Sequence, residues 1–299
     1  MTQAKRIVIL LLALSLLLSF VSCNKESPEE TEESEVLSDT EEKTEAPTEK
    51  KTEKKTEKAT VKPIDRPADK EPSGAFSLNI GSYNIANGRE IGHDLTKLGE
   101  DIKNADLDVV GLQEVDQFVA RSGDQDTMKI LSESSGLPYY QFFKAIDHQG
   151  GEYGVGILSK YPILEYEHEL LHSPDLEQRV LGHALIDVDG TQIDFFVTHL
   201  SYENAEVHAI QTEAVIEKIS QYENFVLTGD FNTESFDSYA KAGFGTVNND
   251  KYSVKTYQDQ TIDNIIYAKD AWRFGIPIAL ANGHSDHNML YATARFILK

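Results

Sequence analysis

Residues 180–200, VLGHALIDVDGTQIDFFVTHL, limit the possible folds more than any other stretch of this chain. Two apolar runs flank Asp189-Gly190. Asp-Gly between strand-like runs signals a two-residue hairpin, because both turn positions need positive φ. An antiparallel pair is therefore expected here. On either side of it, strand-like and helix-like runs alternate. FSLNIGSYNI reads as a strand, LTKLGEDIKNA has helical spacing, and LDVVGLQEV is a buried-strand run. DTMKILSESSG reads as a helix stopped by Gly136 and Pro138. YYQFFKAI, YGVGILSK and PILEYEHELL read as strands. NAEVHAIQTEAVIEKISQY is the longest helix, and NFVLTG, TIDNIIYA and MLYATARFIL return to strand. Hairpins mixed with helical crossovers imply an α/β domain with antiparallel pairs, not a simple doubly wound sheet.

This pattern begins only near Ala75. From Asn24 to Gly74 the chain is Glu, Thr, Lys, Ser and Pro with almost nothing apolar. Such a composition cannot bury enough surface to offset ordering entropy, so residues 24–74 are expected to be a disordered tether. Before it, Lys5 and Arg6 precede the uncharged apolar run Ile7–Val21, which ends at Ser22-Cys23. A basic start, a short apolar run and a small residue describe an export signal, and the run is short for a membrane span. FVSC is similar to a bacterial lipobox, and Cys23 is the single cysteine, so no intramolecular disulfide is possible. Residues 1–23 thus read as a lipoprotein-type signal with Cys23 lipidated. The remainder, 75–299, reads as a monomeric domain held on the outer face of a bacterial membrane. From residue 75 on, 16 Lys+Arg stand against 34 Asp+Glu, a net of −18. That is the opposite of the basic footprint of a general nucleic-acid binder.

Six segments end an apolar run in a carboxylate, amide or imidazole. They hold Asn84, Glu114, His199, Asp230 with Asn232, Asp263, and Asp286 with His287. Asp263 is the oddest, since a lone carboxylate within an apolar strand is costly to bury. Singly, each fits a cap, a turn or a satisfied core group. Jointly they fit an active site, because convergent polar groups on a rigid scaffold are how one is built. The set offers hard oxygen ligands and no thiol, which suits Mg²⁺ or Mn²⁺. It offers two imidazoles and amide donors, which suit attack of water on a phosphoester.

The order of these segments, from YNIANG through LQEVD, THL, GDFN and ID to SDHNML, resembles the endonuclease/exonuclease/phosphatase superfamily, the deoxyribonuclease-I-like fold. The resemblance covers essentially the whole domain. It implies a four-layer α/β sandwich, two packed mixed β-sheets flanked by helices, with the site at one edge. It implies a metal held by Glu114, Asn84 and Asp286. His287 would be catalytic and oriented by Asp263, and Asp230 would orient or deprotonate water. Asn232 would bond the phosphate, His199 would bind it or protonate the leaving group, and Arg179 could clamp it. His284 is left as a loop residue. Two departures bear on substrate: Gln117 follows QEVD where relatives carry an arginine, with Arg121 nearest, and Thr261 precedes ID. The resemblance implies a phosphoester substrate: nucleic acid, a phospholipid or sphingomyelin headgroup, or a small phosphorylated metabolite such as an inositol phosphate. A non-catalytic surface binding lipoprotein of the same fold is the alternative from another class.

Overall fold

The computed structural model describes residues 75–297. The readings for residues 1–23, Cys23 and 24–74 lie outside the described residues. In chain order the elements are β1 (Ser77–Asn84), α1 (Thr96–Asn104), β2 (Val109–Gln117), α2 (Thr127–Ser135), β3 (Tyr139–His148) and β4 (Gly151–Ser159). Then come β5 (Ile163–Leu170), β6 (Val180–Val188), β7 (Thr191–His199), α3 (Ala205–Ile219), β8 (Val226–Asp230) and α4 (Asp237–Lys241). The chain continues through β9 (Gly245–Thr246), β10 (Asp263–Tyr267), β11 (Trp272–Phe274), β12 (Ile278–Leu280) and β13 (Met289–Phe296).

Local chemistry explains many of the boundaries. Asp189 and Gly190 both take positive φ, 51° and 95°, so β6 and β7 form the hairpin that the dipeptide demands. The Asn204 side chain caps α3 by accepting from the backbone N–H of Glu206 and Val207. Asp126 caps α2, and Gly136 closes it in the left-handed conformation at φ 78°. The short elements α4, β9, β11 and β12 carry too few residues to show a period and are not evident in the sequence pattern.

Two mixed sheets result. The first runs β11-β13-β1-β2-β4-β3, with β12 also on β13, and the second runs β5-β6-β7-β8-β10-β9. Each contains one parallel pair, β1 with β2 through α1 and β7 with β8 through α3. The remaining pairs are antiparallel. Alternate residues of β2 divide between two cores. Val110 and Leu112 pack with Leu98, Ile102 and Leu131 of α1 and α2. Val109 joins Leu78, Ile157, Phe195 and Val197 in the larger core, which also takes in Val215 and Ile219 of α3. The layers are therefore helix, sheet, sheet, helix. Gly111 marks the closest approach of the sheets: a Cβ there would stand 1.9 Å from Thr228 Oγ1 and 3.0 Å from Val197. Beyond Gly111 and Ile80 the inner faces turn polar, with Ser82, Asn84, Gln113, His199 and Asp230 all buried.

Candidate active site

Strand register gathers the polar residues at one edge. In the second sheet His199 lies beside Asp230, and Asp230 beside Asp263, so three adjacent strands present one row. In the first sheet Asn84 ends β1 opposite Gln113. Strand β13 runs antiparallel to β1, with Ser82 opposite Leu290, so the loop before β13 delivers Asp286 and His287 to the same edge.

Glu114 arrives differently. It lies inside β2, not at its end. The register with β4 jumps between Leu112 and Val115, so Gln113 and Glu114 share the space of one partner residue. Glu114 takes φ 56°. This is a β-bulge, and it turns a side chain of the strand toward the cleft.

Asn84 joins the two sheets. Its Nδ2 donates to Glu114 Oε1 at 3.1 Å and to Asp230 Oδ2 at 3.0 Å, while its Oδ1 accepts the Ala86 N–H. The other Asp230 oxygen accepts the Asn232 N–H at 3.0 Å. Asn232 sits at φ 51° and gives its Nδ2 to the Leu200 carbonyl at 2.9 Å. His287 Nδ1 donates to Asp263 Oδ2 at 2.9 Å, which leaves Nε2 directed to the Asp230 side, 3.6 Å from Oδ2. His199 Nε2 stands 3.5 Å from the same oxygen. Tyr257 lies against the His287 ring at 4.6 Å between centroids.

Charge separates the two imidazoles. Burial opposes protonation of His287, but Asp263, Asp230 and Asp286 outweigh it and raise its pKa to about 9. Burial, then the charges of Arg179 and His287, push His199 well below the ordinary histidine value. At neutral pH an imidazolium and a neutral imidazole thus flank Asp230. Burial and the neighbouring Asp263 raise Asp230 to about 7, against the opposing pull of His287 and its bonds from Asn84 and Asn232.

A cleft of about 710 Å³ opens over these groups. Glu114, His199, Asp230, Asn232, Asp286 and His287 line it. Arg179 also lines it, buried to 4% exposure between Glu177 at 2.9 Å and Glu203 at 3.8 Å. Asn84 and Asp263 stand behind the lining, touching it through Asp230 and His287. The contacts of three residues are not evident in the sequence pattern. Arg89, from the short 3-10 segment after β1, spans Glu114 at 3.4 Å and Asp286 in close contact. Its neighbours Ala86, Asn87 and Gly88 all take positive φ, and the Asn-Gly pair is the only local hint of that turn. Arg121 enters the cleft wall, clamped on Asp116 and 5.5 Å over the Tyr153 ring. His284, far from being a plain loop residue, contacts the buried Asp101 of α1 through Nδ1 at 3.0 Å.

Among the described residues two groups could hold a cation. Asp230, Asp263 and His287 bring three ligand atoms within 4.8 Å of one another. The Asp263 and His287 atoms are, however, already bonded to each other and buried. Glu114 and Asp286 are open to the cleft, offer hard carboxylate oxygens, and face each other across the Arg89 guanidinium. A positive charge already bridges that pair, so its electrostatics fit a divalent ion such as Mg²⁺ better than the closed triad does.

The family described as Endonuclease/Exonuclease/phosphatase family matches residues 81–287, a span that includes every site residue from Asn84 to His287. Among curated proteins, Protein cwh43 of Schizosaccharomyces pombe is 33% identical over 103 residues, 34% of this chain. The match spans only 10% of that relative's length. An endonuclease/exonuclease/phosphatase family protein from Bacteroides thetaiotaomicron has a similar structure, with TM-score 0.61 and 19% identity over 76% of this chain and 100% of that one. The human Nocturnin catalytic domain, solved with a bound sulfate anion, is similar at TM-score 0.59 and 20% identity over 74% and 93% of the two chains. At such identities these structures share the fold.

Proposed function

The chain belongs to the endonuclease/exonuclease/phosphatase family of phosphoester hydrolases, and from that membership we propose that it hydrolyses phosphodiesters with a divalent cation held at Glu114 and Asp286, Asn84 fixing Glu114 from behind rather than facing the cleft. The observation that carries this reading is the juxtaposition of the Glu114–Asp286 carboxylate pair with Asp230 and the imidazoles of His199 and His287. A hard divalent ion at the carboxylate pair would supply positive charge to the non-bridging phosphate oxygens.

The chain's own groups account for the rest. Asp230 has both oxygens fixed, and a pKa near neutrality suits it to take a proton from water. That water's oxygen adds to phosphorus, the phosphorus–oxygen bond to the alcohol breaks, and the departing alkoxide takes a proton from solvent while Asp230 returns the proton it received to solvent. The His287 imidazolium, held by Asp263, points Nε2 at the region between itself and Asp230. There it stabilises the growing charge on the phosphate. Neutral His199 faces the same region, and Asn232 and Arg179 line the cleft, where in this reading they bond the phosphate.

The test is hydrolysis of bis-p-nitrophenyl phosphate with Mg²⁺ or Mn²⁺, repeated with EDTA. Activity that survives EDTA, or a Glu114→Gln variant that keeps full activity at limiting metal, would sink the metal assignment. Absence of hydrolysis under every metal condition would sink the reading as a whole.

A further inference from the structure

The charges facing the cleft bear on what else the substrate carries, an inference that rests on the phosphodiesterase reading above. Six carboxylates line the cleft (Glu114, Glu177, Glu203, Asp230, Glu234 and Asp286) against three arginines (Arg89, Arg121 and Arg179). None of the three cations is uncommitted. Arg89 spans Glu114 and Asp286. Arg121 makes two bonds to Asp116, at 2.8 and 2.7 Å. Arg179 lies between Glu177 and Glu203. The carboxylates are held too. Glu203 accepts from the Ser201 hydroxyl and the Tyr202 N–H, and Glu234 accepts from the Thr261 N–H at 3.1 Å. The wall cannot easily change sign by turning a side chain.

A monoanionic diester leaves one positive charge of a divalent ion uncancelled, and the lining carboxylates, six against three arginines and the His287 imidazolium, outweigh it. A second phosphate would meet carboxylates and no unpaired arginine, and like charges facing across an interface repel. What the cleft does offer beyond the reacting centre is carboxylates, tyrosines and the neutral Asn87, Thr233 and Gln260, with Tyr202 standing 72% exposed at the rim. Those groups accept hydrogen bonds from hydroxyls and attract ammonium groups. We propose that the cleft selects monoanionic phosphodiesters whose alcohol brings hydroxyl or ammonium groups and no second negative charge. In this proposal Glu177 and Glu203, by holding Arg179, are the residues that exclude polyanions.

A matched pair of chromogenic diesters tests this: p-nitrophenyl thymidine 5′-phosphate, and the same compound with an added 3′-phosphate. The expected kcat/KM is about tenfold lower for the second. Raising salt from about 50 to about 200 mM should raise that lower value, because it screens repulsion. A nucleic-acid binder would show a fall. Glu177→Gln, which relaxes the grip on Arg179, should narrow the gap to about threefold. Equal rates for the pair, or a salt-induced fall for the 3′-phosphorylated compound, would overturn the inference and leave the phosphodiesterase reading standing. If neither compound nor bis-p-nitrophenyl phosphate is hydrolysed, that reading itself fails. The salt response uses the unaltered protein, so it decides even if the variant does not fold. Competition by glycerophosphocholine and by glycerophosphoinositol, which share the glycerol hydroxyls, then separates the two: stronger inhibition by the first marks ammonium recognition, and stronger inhibition by the second marks hydroxyl recognition. Inhibition by neither overturns the assigned alcohol chemistry.

Discussion

Asp263 is buried in strand β10 with one oxygen on His287 and the other without a hydrogen-bond partner. A carboxylate so placed is expensive, and its return is the charge and orientation of the imidazole beside it. Asp263→Asn keeps the shape and removes that charge. We expect kcat to fall by about 10²–10⁴ with little change in KM. The same substitution should alter how stability depends on pH, measured by thermal unfolding in EDTA. His287 titrates at about 9 when folded, above its ordinary 6.5, so its contribution is complete below the lower value and lost as pH rises through the upper. Asp230, raised to about 7, acts in the same direction from a lower pH. The unaltered protein should therefore lose stability between about pH 6.5 and 9, and the variant should lose less. A variant with an unchanged profile would show that His287 is not charged by Asp263. This residue was legible in the sequence because a lone carboxylate in an apolar run stands out. Arg89 was not, since nothing local says that an arginine after a turn will reach a carboxylate 197 positions away.

At the scale of elements, alternation and caps placed most strands and all three long helices. The Asp-Gly hairpin could be read down to its turn geometry. The bulge in β2 could not, because it exists only in the pairing of β2 with β4. The tie between α1 and the loop before β13 was equally hidden. There Asp101 accepts from His284 and, at 3.4 Å, from the buried Tyr83 hydroxyl. That tie fixes the segment carrying Asp286 and His287 against a helix. Asp101→Asn should weaken it, lowering stability by about 1–3 kcal/mol. The half-saturating Mg²⁺ concentration for activity should rise about tenfold, because a group that orients a ligand has been lost. A stability loss with unchanged metal requirement would reduce Asp101 to a purely structural role.

For the whole molecule, composition told that residues 75–299 are acidic. The four layers came only through the resemblance, because sheet order is set by pairings between distant segments. The lipid anchor at Cys23 remains our proposal: Cys23→Ser should move the protein from the membrane to the soluble fraction, read by fractionation and by loss of labelled fatty acid. Retention on the membrane without label would refute it. The amide of Asn84 has a consequence at this scale. One side chain bonds Glu114 of the first sheet and Asp230 of the second, so the carboxylate proposed to hold the cation and the one proposed to direct water belong to different sheets. The two layers act like the jaws of a clamp, with chemistry possible only while they stay aligned. Any slip of one sheet over the other separates the two halves of the reaction before a single strand has come apart.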